Sequence, residues 1–171
     1  MLQAIGDFLI SLPHELYLII ISMIPFIELR GAIPIGLYTF RLDIIPVTLL
    51  ALLGNILPVP FLVIFGGKVL RYFAKFEKFG KPFRKILEIG EKKVAKMNSK
   101  AKRALFWGLF AFVAVPLPGT GAWTGSLIAI TLGLNLKKSF LPIALGVLCA
   151  GAIIVTLFYF APEAFSALVG D

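Results

Sequence analysis

Two charges stand where this sequence least tolerates them. Glu28 and Arg30 lie in Ile24-Pro-Phe-Ile-Glu-Leu-Arg-Gly-Ala-Ile-Pro-Ile-Gly36, where every other side chain is apolar or absent. At the centre of a bilayer a charge costs about 2.5–3.5 kcal/mol even on the lenient insertion scale, so it needs a partner or water and by default marks a functional site. Burial disfavours the charged form of a carboxyl, which makes Glu28 a candidate to take and release a proton. Arg30 would neutralise it or hold an anionic head group. Residues two apart do not face each other on a regular helix, so Gly31 and Pro34 are expected to unwind the turn and let the pair converge on one cavity. A structural ion pair, or charges resting at headgroup depth, would explain the same two residues.

A second cluster reads Pro116-Leu-Pro-Gly-Thr-Gly-Ala-Trp-Thr-Gly-Ser126. Pro116 and Pro118 remove backbone donors, and Gly119 and Gly121 free the backbone. Thr120 and Thr124 supply hydroxyls, and Trp123 a broad face with one donor. A half-helix starting here would point free N–H groups and a positive dipole end at an anion, either carboxylate or phosphate. Gly121-x-x-x-Gly125 is equally a membrane helix-contact motif. Asn55 is a third polar candidate, which an interhelical hydrogen bond explains as well. His14 and Cys149 are the only residues of their types, so His-cluster and thiolate metal sites are excluded and no metal or cofactor is expected. Thr124-Gly125-Ser126 looks like a rhomboid nucleophile motif but lacks a histidine on a second span. No paired aspartates suit an intramembrane protease, so an enzyme is not expected.

The elements that must position these residues are apolar. Apolar types make up 59% of the 171 residues and charged types 15%, more hydrophobic surface than a soluble core of this size can hide. Ile44 to Phe65 and Phe140 to Phe160 carry no charge and have the roughly 20-residue length of a transmembrane helix. The blocks Leu16 to Phe40 and Ala104 to Leu136 are interrupted by proline and glycine, and broken backbone survives in lipid only when buried in protein or lining a wet cavity. The expected fold is an all-α integral membrane protein: two re-entrant helical hairpins plus two transmembrane helices, joined by basic amphipathic helices. It is read as a single membrane domain over 1–171. The first half is 13–66, the connector 67–103 and the second half 104–162. Gly31-Ala32 aligns with Gly121-Ala122, and Ile44-Ile45-Pro46 with Phe140-Leu141-Pro142, which suggests an inverted repeat of the transporter kind.

The net charge of +8 is concentrated. Between Lys68 and Arg103 thirteen Lys/Arg stand against Glu77, Glu88 and Glu91, while the rest of the chain is net −2. That is a cytoplasmic loop under the positive-inside rule, not a nucleic-acid surface. Val69, Leu70, Phe73, Phe76, Phe79 and Phe83 recur at helical spacing among the bases, Gly80-Lys81-Pro82 breaks the pattern, and a second helix follows to Met97. A basic amphipathic segment over 68–103 should lie on the anionic leaflet. The expected location is a multi-pass cell-membrane protein with Lys137 and Lys138 inside, and with Arg41–Asp43 and Glu163 outside. The N-terminus carries neither a basic n-region nor an A-x-A site, so it does not read as a removed signal peptide. If the first block crosses completely, the N-terminus lies inside.

Glu28-Leu-Arg-Gly-Ala-Ile-Pro-Ile-Gly36 and Pro116-Leu-Pro-Gly-Thr-Gly-Ala-Trp-Thr-Gly125 resemble the small multidrug export protein family, a relative of the DedA/VTT membrane proteins. The likeness covers nearly the whole chain. It implies two re-entrant hairpins meeting at the midplane, with Glu28 matching the acidic residue of the first. It also implies proton-dependent transport or flipping of a lipid-linked phosphate or small amphipathic substrate. DedA members commonly carry arginines in or near the second hairpin, whereas this stretch has none and its nearest bases are Arg103 and Lys137. An energy-independent lipid scramblase, or a membrane-shaping protein acting through the connector, is the alternative. A chain this small leaves room for a homodimer that completes the pathway.

Overall fold

Proline and glycine placement sets where each helix starts and stops. The computed structural model describes residues 12–76, 80–117 and 119–161. Helix α1, His14–Met23, follows Pro13 and ends at Ile24, which is extended because it precedes Pro25. Helix α2, Glu28–Pro34, runs on into a π-helical turn, Ile35–Thr39. Helices α3, Ile44–Ile56, and α4, Pro58–Phe73, form a nearly continuous apolar rod of 30 residues. Its one irregularity is at Leu57, beside Pro58 and Pro60, which have no N–H to give. Helix α5, Gly80–Ala95, is amphipathic and basic. Helix α6, Ser99–Ala114, is capped by Asn98, whose side chain accepts from the Ala101 N–H at 2.8 Å. Helix α7, Ala122–Thr131, is short. Helix α8, Leu136–Phe160, has 25 residues and is about 37 Å long at 1.5 Å per residue. That length exceeds a hydrocarbon core of about 30 Å.

The helices before each long rod fold back on themselves. The His14 ring stacks on Phe40 at 4.1 Å, so the start of α1 and the end of the π-turn lie together, with residues 24–27 at the far end. Likewise Lys102 and Leu105 of α6 share a cavity wall with Leu134, just past α7, while residues 115–117 and 119–121 lie between the two helices. The two rods run in opposite directions. Tyr38 meets Phe158, near the end of α8, at 5.6 Å, while Lys68 and Arg71 of α4 border the same space as Asn135 and Lys137 at the start of α8. Leu18, Val47, Val59, Val113, Ile143 and Val147 fill the interior, whereas Leu49, Leu53, Phe61, Phe65 and Leu141 are exposed. In lipid that outer surface is satisfied by acyl chains. Close approach falls to glycine: a Cβ on Gly54 would strike the backbone of Ile19, and one on Gly146 would sit 2.9 Å from the Phe110 carbonyl oxygen.

Several expectations change. The first rod extends past Phe65 to Phe73, so Lys68 and Arg71 belong to it rather than to a separate connector helix. Gly31 and Pro34 do not unwind the chain; both remain in α2, which runs on into the π-turn. The break falls earlier, at Pro25–Ile27. Gly31 therefore lies inside a helix while Gly121 caps one, so the two aligned glycines are not structurally equivalent. Phe79, the N-terminal segment and Glu163 lie outside the described residues. Two alanine substitutions test the packing. Gly54→Ala overpacks a backbone contact and should cost about 1–3 kcal/mol, lowering the thermal midpoint in detergent by several degrees. Gly108→Ala, with nothing within 4 Å of its added methyl, should leave that midpoint unchanged or slightly raised.

Candidate functional site

The two turns meet. Between α1 and α2 the chain passes through left-handed backbone at Phe26 (φ 77°) and Glu28 (φ 49°), a conformation that residues with a Cβ adopt at some cost. This makes Glu28 the opening residue of α2, with its side chain 5% exposed. Between α6 and α7 the chain turns through Gly119 (φ 86°) and Gly121 (φ 153°), both glycine conformations. The Trp123 backbone N–H, in the first turn of α7, donates to Glu28 Oε1 at 3.3 Å. Its indole N–H donates to the Met23 carbonyl at 2.9 Å. One residue of the second turn thus grips the first turn at two points.

The half-helix N-terminus read from the sequence does face an anion, and that anion is the chain's own carboxylate. The positive end of α7 and its free N–H groups are turned on Glu28. Arg30 completes the arrangement, with Nη2 3.5 Å from Glu28 Oε2 and its side chain 11% exposed. The pair converges because left-handed backbone at Glu28 takes that residue out of regular helical register, not because the helix unwinds at Gly31. Gly121 is required twice over. Its φ suits glycine, and a Cβ there would overlap the Glu28 carboxylate.

Glu28, Arg30, Pro116, Thr120 and Gly121 border one space, closed on the other side by Val113, Val147 and Ala150. That space is about 10 Å³, at most one water molecule. The site is shut. Thr120 turns its hydroxyl back on its own loop, donating toward the carbonyls of Val115 at 2.5 Å and Leu117 at 2.8 Å and accepting from the Leu117 N–H at 3.1 Å. The Thr124 hydroxyl likewise donates to the Gly121 carbonyl at 3.3 Å. These hydroxyls shape the turn and do not point a free donor at the carboxylate. Gly119 is exposed with open space around it, Gly31 and Pro34 lie along α2 outside this space, and Pro118 is outside the described residues.

Asn55 is fully buried, and neither its side-chain oxygen nor its nitrogen has a hydrogen-bond partner among the described residues. The interhelical bond that would have explained it is not made. Gly121 and Gly125 divide the two readings of their motif. The first serves the carboxylate, and the second lets α7 pack, since a Cβ there would meet Val113 Cγ2 at 2.6 Å. Sequence reasoning missed the Met23 carbonyl, which has no side-chain signature. It also missed the α8 wall, formed by Val147 and Ala150 within an apolar span.

Trp123→Phe keeps the ring and the backbone donor but leaves the Met23 carbonyl without its partner. It should cost about 1 kcal/mol and raise hydrogen exchange in residues 22–29 and 115–123 together, leaving α8 protected. Gly121→Ala, which forces a methyl onto the carboxylate, should reduce stability more than Gly119→Ala, which meets only backbone strain; thermal unfolding in detergent ranks the two.

The family model described as "Putative small multi-drug export protein" matches residues 28–153, a stretch that begins at Glu28 and takes in Arg30, the second turn with Trp123, and most of α8. Comparison with curated proteins and with solved structures gave no match. With two helices long and apolar enough to cross a bilayer and a family match over most of its length, the chain belongs to the small multi-drug export protein family and is a membrane protein.

Proposed function

We propose that the protein is a proton-coupled secondary transporter or lipid flippase of DedA-like type, with its site where the two turns meet. The observation that carries this reading is the buried Glu28 carboxylate, held at once by Arg30 and by the N-terminus of α7. In this reading α1–α2 and α6–α7 are re-entrant hairpins that enter from opposite faces, each followed by a full span, and the two halves form an inverted repeat. The basic connector lies on the cytoplasmic side of the cell membrane, as the positive-inside rule requires.

Coupling follows from competition for the same cationic groups. While Glu28 is charged, it occupies both Arg30 and the α7 N-terminus. A proton on Glu28 removes the charge they hold, freeing the guanidinium and the N–H groups for an anionic substrate. Proton and anion then bind together and move in the same direction. A lipid-linked phosphate or another small amphipathic anion has the chemistry these groups recognise. Because the site is shut, admission of substrate requires the two turns to part, breaking the Trp123–Met23 bond.

Purified protein in liposomes under an imposed pH gradient tests this. Wild type should move a labelled lipid phosphate down the proton gradient, and Glu28→Gln should abolish the gradient dependence. Gradient-driven transport by Glu28→Gln at the wild-type rate would reject the proton role. Lipid movement by wild type without any gradient would indicate energy-independent scrambling instead.

A further inference from the structure

We infer that the basic end of the protein holds an anionic phospholipid in a defined pocket, separate from the Glu28 site. A cavity of about 420 Å³ opens between α4, α5 and the turn that leads into α8. Three cations converge on it, Lys68 and Arg71 from α4 and Lys137 from α8, and no acidic residue lines it. None of the three makes an ion pair among the described residues. Glu91 packs its stem against Gly133 at the turn but does not line the cavity. Leu136 and Lys137 open α8, so the positive end of a 25-residue helix adds to the same field. The floor is apolar, formed by Val63, Leu87, Ile130 and Leu134.

The pocket is built by close backbone contact. A Cβ on Gly90 would fall on the backbone of Thr131 and Leu132, and one on Gly66 would come within 2.6 Å of Ile130 Cδ1. Only glycine at position 90 lets α5 approach the end of α7 this closely. A second cavity, of about 250 Å³, adjoins it across Leu134 and Lys137. That cavity is lined by Leu105, Phe106, Leu109 and Leu141, with Lys102 and Lys138 beside them. An inorganic anion would use the cations and leave both apolar surfaces bare. A phospholipid uses all of it, with phosphate among Lys68, Arg71 and Lys137 and an acyl chain along the leucine-lined groove. Basic pockets between helices at the membrane surface take lipid head groups by this logic.

Native mass spectrometry of the purified full chain, titrated with phosphatidylglycerol, phosphatidylcholine or inorganic phosphate, tests the assignment. Wild type should retain phosphatidylglycerol in preference to phosphatidylcholine, and millimolar phosphate should not displace it. Replacing Lys68, Arg71 and Lys137 with Gln should weaken retention by about a hundredfold, at roughly one kcal/mol per base. The charge-matched control, Lys92→Gln, Lys96→Gln and Lys100→Gln, should weaken it far less. Should the triple variant fold poorly, Leu134→Trp, which fills the shared wall without altering charge, should also lower retention. Equal loss in the two triple variants, equal retention of phosphatidylcholine, or full competition by phosphate would overturn the proposal. Glu28→Gln should keep the lipid, which separates this pocket from the transport site.

Discussion

A single buried carboxylate organises this molecule. Glu28 accepts from the first turn of α7 and pairs with Arg30 of its own helix, so one side chain joins two chain segments 95 residues apart in sequence. Burying a charge is costly unless paired and hydrogen-bonded, and removing one partner of a buried pair typically costs about 3–5 kcal/mol. The arrangement is therefore a constraint as much as a contact. It dictates glycine at position 121 and is accompanied by left-handed backbone at Glu28.

The indole of Trp123 adds a second, neutral tie to the Met23 carbonyl. The two ties differ in kind. The indole bond is indifferent to charge, whereas the hydrogen bond from the α7 N-terminus and the Arg30 ion pair depend on the state of one carboxyl. A device that opens in response to protonation needs that asymmetry, with a fixed tie weak enough to break and a charge-dependent tie strong enough to hold it shut. The cavity beside Glu28 is too small for a substrate, and the proposed mechanism takes this arrangement as its closed conformation.

Much of this was legible in the sequence because lipid makes composition decisive. The apolar rods, the breaks near Pro25 and Pro116, and the prominence of Glu28 and Arg30 all follow from the cost of charge and of unpaired backbone in hydrocarbon. The location of the first break relative to Gly31 and Pro34 was not legible. Both residue types permit disruption without demanding it, and tertiary packing kept them helical. The extension of the first rod to Phe73 was hidden because Lys68 and Arg71 read as connector, although long basic side chains extend from a helix end toward the polar interface. The direction in which the Thr120 and Thr124 hydroxyls point was hidden for a related reason. A hydroxyl in a tight turn is satisfied first by the nearest carbonyl, and only coordinates show which one. Asn55, by contrast, gained meaning from the structure, since a fully buried amide without a partner is costly in any reading.

The central claim is that the carboxylate of Glu28 holds the two turns together. Spin labels at positions 26 and 117, both exposed and one on each turn, report the distance between them by pulsed electron resonance in lipid nanodiscs, with Cys149 replaced by alanine. The account predicts one narrow distance in the otherwise native chain and a broad, longer distribution when Glu28→Ala is added. An unchanged narrow distribution without the carboxylate would contradict it.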